Sequence, residues 1–211
     1  EKDHSDLAGI LPKNYQDFGS DLLKNLIRIF NTESIKSIPG DAFGRIYEYF
    51  LMKFSMSGAG AQEGGEFFTP PSLVQLIVNF IEPKHGIVHD PACGSGGMFI
   101  QTAQFINDKV KKSINESISV YGTELKTNNT KLAKMNLAIH GIEGKIIEDN
   151  SFYADPHKLF GKCDFIMANP PFNVDKIDKK KEYVINDPRL PFGLPKNDNG
   201  NYMWIQYFYS Y

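Results

Sequence analysis

The sequence predicts an α/β fold: an open, mainly parallel sheet with helices on its faces, preceded by a helical N-terminal region. Three observations carry this expectation. Apolar residues in the first third of the chain recur at helical spacing. From residue 86 onward, short apolar segments alternate with helical patterns, the rhythm of strand–helix–strand units. Each apolar segment also runs into a polar or glycine-rich stretch, which is where open sheets of this kind bind their ligands.

The elements follow in order. Phe18, Leu22, Leu26 and Phe30 recur every four residues with Leu23 and Ile27 beside them, and Phe43, Ile46, Tyr47, Phe50, Leu51 and Phe54 form a second stripe. Both stripes are wide enough to be buried against other helices. Ile38-Pro39-Gly40-Asp41 reads as a break followed by a helix cap. The glycine-rich run from Ser55 to Gly65 sets the expected boundary between a helical region, 1–63, and a second domain, 64–211. Thr69 then reads as the N-cap, with Pro70 in the first turn, of a helix bearing Leu73, Leu76, Ile77, Phe80 and Ile81.

Strands are expected at Gly86–Asp90, Ser119–Thr123, Lys145–Glu148 and Asp164–Ala168. Helix faces lie between them, one on Phe99, Ile100, Ala103, Ile106 and Val110, the next on Leu132, Met135 and Ile139. Asn173 to Gly200 contains Pro188, Pro191 and Pro195 with little periodicity and reads as a long loop. Its Lys176, Lys179, Lys180 and Lys181 suit either phosphates or solvent. Tyr202, Trp204, Ile205, Phe208 and Tyr209 begin a further helix. There is no internal repeat.

Composition narrows the class. The 211 residues carry 23 basic and 25 acidic side chains, a net charge of −2, with 41% hydrophobic residues. That excludes a disordered chain and a polybasic protein that binds through bulk charge. A nucleic-acid partner would need a local basic surface, or one supplied by another chain. The two cysteines, Cys93 and Cys163, are far apart and form no CxxC pair, so no disulfide scaffold, zinc ribbon or other metal site is expected. No apolar run approaches the ~20 residues that span a bilayer. The charged start Glu1-Lys2-Asp3-His4 leads into no apolar stretch, so no signal peptide is read there. A soluble, cytoplasmic protein is expected.

The chemistry lies at the strand ends. After the first strand, Asp90-Pro91-Ala92-Cys93-Gly94-Ser95-Gly96-Gly97 lets backbone approach a ligand closely and sets N–H groups at a helix N-terminus. A dinucleotide fingerprint fails because its third glycine falls on Phe99, and no Lys-Ser/Thr pair follows to make a triphosphate loop. The expected ligand is nucleoside-like and lacks a pyrophosphate. Glu124, ending the second strand, suits two ribose hydroxyls. Asp149 and Asn150, ending the third, suit an adenine edge, with Phe152 beside the ring.

The fourth strand ends in Asn169-Pro170-Pro171-Phe172, and two prolines there fix a rigid exit from the sheet. The Asn169 amide oxygen and the Pro170 carbonyl are two neighbouring acceptors that suit an amino group with two N–H bonds to donate. Phe172 adds a flat apolar face for a planar ring. Taken singly, each stretch also reads as an ordinary turn. Their convergence on one edge of one sheet favours a ligand.

The glycine loop together with Asn169-Pro170-Pro171-Phe172 resembles S-adenosylmethionine-dependent N6-adenine DNA methyltransferases. Gly65-Glu66-Phe67-Phe68-Thr69-Pro70-Pro71, upstream of the loop, and Ile46-Tyr47-Glu48-Tyr49-Phe50 resemble the modification subunit of type I restriction-modification systems. The likeness runs from about Pro39 to Phe172 and continues less specifically through Asn201-Tyr202-Met203-Trp204-Ile205-Gln206. It implies a Rossmann-like methyltransferase sheet of seven strands, of which this stretch shows four, so the C-terminal part of the sheet is expected beyond it.

By that resemblance, Pro91, Ala92, Gly94, Ser95, Gly96 and Gly97 cradle the methionine half of S-adenosylmethionine, with Asp90 near its amino group. Glu124 holds the ribose, while Asp149 and Asn150 lie along the cofactor's adenine. Glu66, Phe67, Phe68, Thr69, Pro70 and Pro71 close over the methionine end. Asn169, Pro170, Pro171 and Phe172 hold a target adenine flipped out of duplex DNA. The implied partners are a DNA-specificity subunit, a second modification subunit and, in the full complex, a restriction subunit; no membrane is implied.

Other methylations fit less well. Cytosine C5 chemistry needs a thiolate near the base, and no Cys follows Pro170 or Pro171; Cys93 reads as a small packing residue in the loop. Protein glutamine methyltransferases favour Tyr where Phe172 stands. RNA methylation and a non-catalytic cofactor-binding subunit remain as alternatives, but the latter gives no reason for the acceptor pair.

Overall fold

The computed structural model describes residues 7–33, 37, 42–56, 69–196 and 200–211. Four strands, β1 (Gly86–Asp90), β2 (Ile118–Glu124), β3 (Gly144–Glu148) and β4 (Phe165–Ile166), form one parallel sheet in the order β3-β2-β1-β4. Successive strands first step outward from β1 to β3, then cross back so that β4 lies on the other side of β1. The expected mainly parallel sheet is therefore present, and its switch point lies between β1 and β4.

Alternation along the strands assigns two layers. Val88 and Val120 face one apolar cluster, while Ile87 and Tyr121 face the other. In the first layer, α3 (Pro71–Ile81) sets Val74 and Val78 against α4 (Gly97–Phe105), whose Phe99 and Ile100 are fully buried. Below α4 the chain continues as a π-turn, Ile106–Val110, and a short helix α5 (Ile114–Ser117). α6 (Thr127–Ile139) adds Ala133 and Leu137 to the same layer. Gly122 of β2 is required here, since a Cβ would stand 2.6 Å from Ile146 Cδ1 and 2.9 Å from Cys93 Sγ.

The second layer departs from the expected long loop. Residues 173–196 fold back with a short helix, α7 (Glu182–Ile185), and bury Ile177, Val184 and Leu190 with Met203, Trp204 and Tyr207 of α8 (Asn201–Ser210). Its anchor is Arg189, 1% exposed, which donates from Nε and Nη2 to the Asp187 carboxylate (2.7 Å at the closest), from Nη2 to the Ser151 carbonyl (3.0 Å) and from Nη1 to the Ala154 carbonyl (3.1 Å). Two of the lysines also work within the protein. Lys179 Nζ donates to the Pro195 carbonyl at 2.9 Å, and Lys181 Nζ lies 3.9 Å from the centre of the Tyr153 ring.

At the N-terminal side, α1 (Ser20–Phe30) buries none of its residues, so the expected burial of its stripe is not met among the described residues. α2 (Ala42–Met56) reaches the core through Tyr47, whose hydroxyl donates to the Leu132 carbonyl at 3.2 Å and is pushed up to about 12 by burial. The expected break at 38–41, the glycine-rich run and the 63/64 boundary lie outside the described residues. Among the described residues no helix is long and apolar enough to cross a membrane.

Candidate active site

The loop leaving β1 is built on hydrogen bonds to its own backbone. Cys93 N–H donates to the Thr123 carbonyl at 3.0 Å, joining the loop to β2. Asp90 Oδ1 accepts from Ala92 N–H at 2.9 Å, and Glu124 Oε2 accepts from Gly94 N–H at 3.0 Å. Asn136 of α6 donates to the Ser95 carbonyl at 2.9 Å. Gly94 and Gly96 take φ of +54° and +81°, the left-handed region that favours glycine. A Cβ on Gly94 would meet nothing within 4 Å, so this glycine borders open space.

Electrostatics here are unusual. Asp90 is 1% exposed, and burial pushes its carboxyl up to about 8; the nearby Glu124 carboxylate acts in the same direction, while the Ala92 N–H opposes. Two acidic groups thus underlie one loop. Burial, followed by Asp90 and Glu124, raises the Cys93 thiol well above its ordinary value, so it stays protonated and serves as packing.

The β3 end is stitched to this loop. Asp149 N–H donates to the Glu124 carbonyl (2.9 Å), and Ser151 Oγ donates to the Pro91 carbonyl (2.5 Å). The side chain of Asp149 accepts from Asn150 N–H, and that of Asn150 from Phe152 N–H. Phe152 is buried with its ring centroid 4.5 Å from that of Trp204.

After β4, Asn169 Nδ2 donates to Thr69 Oγ1 at 3.1 Å, and Trp204 Nε1 donates to the Pro171 carbonyl at 3.0 Å. Asn173 takes φ +56° and pairs reciprocally with Asn201 at the start of α8. Phe172 is 65% exposed.

These strand ends enclose a cavity of about 500 Å³. Pro91, Ala92, Gly94, Glu124, Asp149, Asn150, Asn169, Pro170, Pro171 and Phe172 all border it, so residues from four separate strand ends meet in one place. Asp90, Ser95, Gly96 and Gly97 do not border it; Asp90 lies beneath the loop, and the other three form the turn into α4. Thr69, Pro70 and Pro71 are also off its wall, and Thr69 reaches it only through Asn169. The N-cap of α3 is Pro70 without a side-chain cap bond, one residue later than expected, because the Thr69 hydroxyl is turned to Asn169 instead. Glu66, Phe67 and Phe68 lie outside the described residues.

Sequence reasoning assigned no site role to several residues that border the cavity, among them Leu125, Lys126, Asn129, Ser151, Asn173, Val174 and Trp204. Lys126 and Asn129 sit just past Glu124, where reading the strand-end rule a few residues further would have found them. Trp204 borders it from α8, and its one sequence signal was its place in the less specific C-terminal likeness.

The sequence model of the N-6 DNA Methylase family matches residues 39–211. The chain is 40% identical over 223 residues to the methylase subunit of the type I restriction enzyme HindI from Haemophilus influenzae, a match covering 98% of this chain and 48% of that protein. It is 43% identical over 173 residues to the MjaIX methylase subunit from Methanocaldococcus jannaschii, covering 80% of this chain and 30% of the relative. Among solved structures, the type I methyltransferase subunit from Streptococcus thermophilus superposes with a TM-score of 0.69 at 21% identity, covering 83% of this chain and 38% of that one. The chain thus spans about half or less of the length of these proteins. The family match covers residues 39–211, and within it the four strand ends border one cavity, so the chain belongs to the N-6 DNA Methylase family.

Proposed function

We propose that this chain carries the catalytic core of an adenine-N6 DNA methyltransferase, working as the modification subunit of a type I restriction-modification complex. The observation that carries the reading is that the Asn169-Pro170-Pro171-Phe172 corner and the Gly94–Glu124 loop border one cavity.

The cavity's chemistry fits S-adenosylmethionine. Gly94 leaves room where a side chain would intrude, the carboxylate of Glu124 suits ribose hydroxyls, and the buried acidic pair Asp90 and Glu124 favours a cationic ligand. Asp149 and Asn150 lie on the same wall, where an adenine edge would be read. Bound there, the cofactor would supply an electrophilic methyl carried on a sulfonium sulfur. The protein's own task is the adenine amine, whose lone pair is delocalised into the ring. Asn169 Oδ1 and the Pro170 carbonyl accept its two N–H bonds, and these contacts strengthen as positive charge develops on nitrogen. Phe172, exposed at the rim, stacks on the flipped base and offsets part of the lost duplex stacking.

Duplex DNA is the substrate in this reading. The net charge of −2 agrees with a complex in which a DNA-specificity subunit supplies the main DNA grip, together with a second modification subunit and a restriction subunit. The cytoplasm follows as the place of action.

The deciding experiment offers labelled S-adenosylmethionine with duplex DNA, RNA and protein in parallel to the full-length chain, followed by digestion to nucleosides and amino acids. The expected product is N6-methyladenine in DNA, lost in Asn169→Ala while cofactor binding survives. Label in RNA or in glutamine, or full activity in Asn169→Ala, overturns the reading.

A further inference from the structure

A primary carboxamide such as that of Asn169 can present either its oxygen or its NH₂ to a substrate, and only the oxygen suits an amino group. Turned the other way, it would set donor against donor and leave N–H groups unpaired. What holds the amide in one orientation is therefore part of the chemistry. Asn169 Nδ2 donates to Thr69 Oγ1 at 3.1 Å, across 100 residues of sequence.

We propose that Thr69 is a positioning residue for the methyl-accepting amine, acting through Asn169. This rests on the function proposed above. The Thr69 hydroxyl has no duty in capping α3, since the cap falls on Pro70 and uses no side chain. It does not border the cavity, so its reach toward a substrate passes through the Asn169 amide. By accepting one of the two Nδ2 hydrogens it supports the orientation in which Oδ1 faces the amine. Trp204 does the matching service one residue past the second acceptor, by occupying the Pro171 carbonyl at 3.0 Å. Among the described residues, neither Asn169 Oδ1 nor the Pro170 carbonyl accepts a hydrogen bond, so the corner keeps open the two acceptors that an amine needs.

Placement adds a second consequence. Thr69 immediately precedes the Pro70-Pro71 start of α3 and ends the segment 66–71 that the resemblance sets over the methionine end of the cofactor. One hydrogen bond therefore ties the donor-side segment to the acceptor-side residue.

The test uses the full-length chain assembled with its DNA-specificity partner. Thr69→Val keeps the side-chain shape and removes the hydroxyl; Thr69→Ser keeps the hydroxyl. The single-turnover rate at saturating S-adenosylmethionine and DNA is expected to fall about tenfold or more in Thr69→Val, as the loss of one such bond allows. Thr69→Ser should stay within about threefold of the parent, and because the rate is read at saturating cofactor, a change in cofactor affinity does not enter it. A binding readout accompanies the rate. With a non-reactive cofactor analogue bound, Thr69→Val should weaken binding to a duplex bearing adenine at the target position and leave binding to one bearing unsubstituted purine unchanged. A Thr69→Val enzyme equal to the parent in rate and in adenine-over-purine discrimination overturns the inference alone. So does a loss confined to cofactor affinity, which would make Thr69 a cofactor contact only. A parent enzyme that methylates no adenine overturns the functional reading, and the inference with it.

Discussion

The Gly94 N–H donates to the Glu124 carboxylate at 3.0 Å, tying the glycine loop of β1 to the end of β2 across 30 residues of sequence. The other oxygen of Glu124 accepts from Lys126 N–H at 2.9 Å, so this buried side chain holds the loop's shape before any ligand arrives. A role in ribose binding would draw on the remaining lone pairs of the same two oxygens.

Glu124→Ala should therefore cost more than a lost ribose contact. It leaves the Gly94 N–H without its partner, a penalty of ~1–3 kcal/mol, or about 5- to 150-fold in cofactor affinity. Calorimetric titration with S-adenosylmethionine checks this, and circular dichroism should show the sheet intact. Unchanged affinity would detach Glu124 from the cofactor.

Asp90 predicts a pH dependence of cofactor binding. Its carboxyl is raised to about 8, so near pH 7 it is mainly protonated in the free protein. A cationic ligand over the loop favours the ionised form, so binding releases a proton below about pH 8. Affinity should rise as pH increases from 6 and level off above 8, and Asp90→Asn should flatten that slope. Titrations in buffers of different ionisation enthalpy measure the released proton directly.

His89 predicts acid lability. Its Nδ1 donates to the Tyr121 carbonyl at 3.0 Å, its ring packs 4.7 Å from that of Tyr211, and burial lowers its pKa to about 4. The folded state thus prefers the neutral ring, whereas the unfolded chain takes up a proton near 6.5. Stability is fully present above that value and is lost as pH falls toward 4, on the order of 3 kcal/mol for a shift of this size. His157, 5.8 Å away, is lowered in the same direction by burial. Thermal unfolding between pH 7.5 and 4.5 should show the decline, reduced in His89→Phe.

Arg189 predicts the cohesion of the second layer. Asp187→Ala leaves the buried guanidinium without its counter-charge, a loss of ~3–5 kcal/mol. Because Arg189 also holds the Ser151 carbonyl, the β3 end should loosen with it. Chemical denaturation measures the first effect, and faster proteolysis within 173–196 the second.

What was legible in the sequence was local. Each strand announces itself by an apolar run and each site stretch follows within a few residues, so Pro91, Ala92 and Gly94 of the glycine loop, Glu124, Asp149, Asn150 and the Asn169–Phe172 corner all border one cavity. What escaped was non-local. A threonine before two prolines looks like a cap, and nothing nearby in the sequence signals that its hydroxyl serves Asn169, 100 residues on. Arg189 and Asp187 stand two residues apart among prolines with no apolar alternation around them, so a buried ion pair read as loop. The stripe of α1 shows the converse: helical spacing foretold a helix but not what it would pack against.

The chain has one tryptophan, and it stands against the cavity with its indole N–H on the Pro171 carbonyl and its ring on Phe152. Its fluorescence is therefore a built-in reporter. Emission from this indole should shift whenever a ligand fills the pocket or the prolyl corner moves, so that occupancy can be followed in real time without attaching a dye.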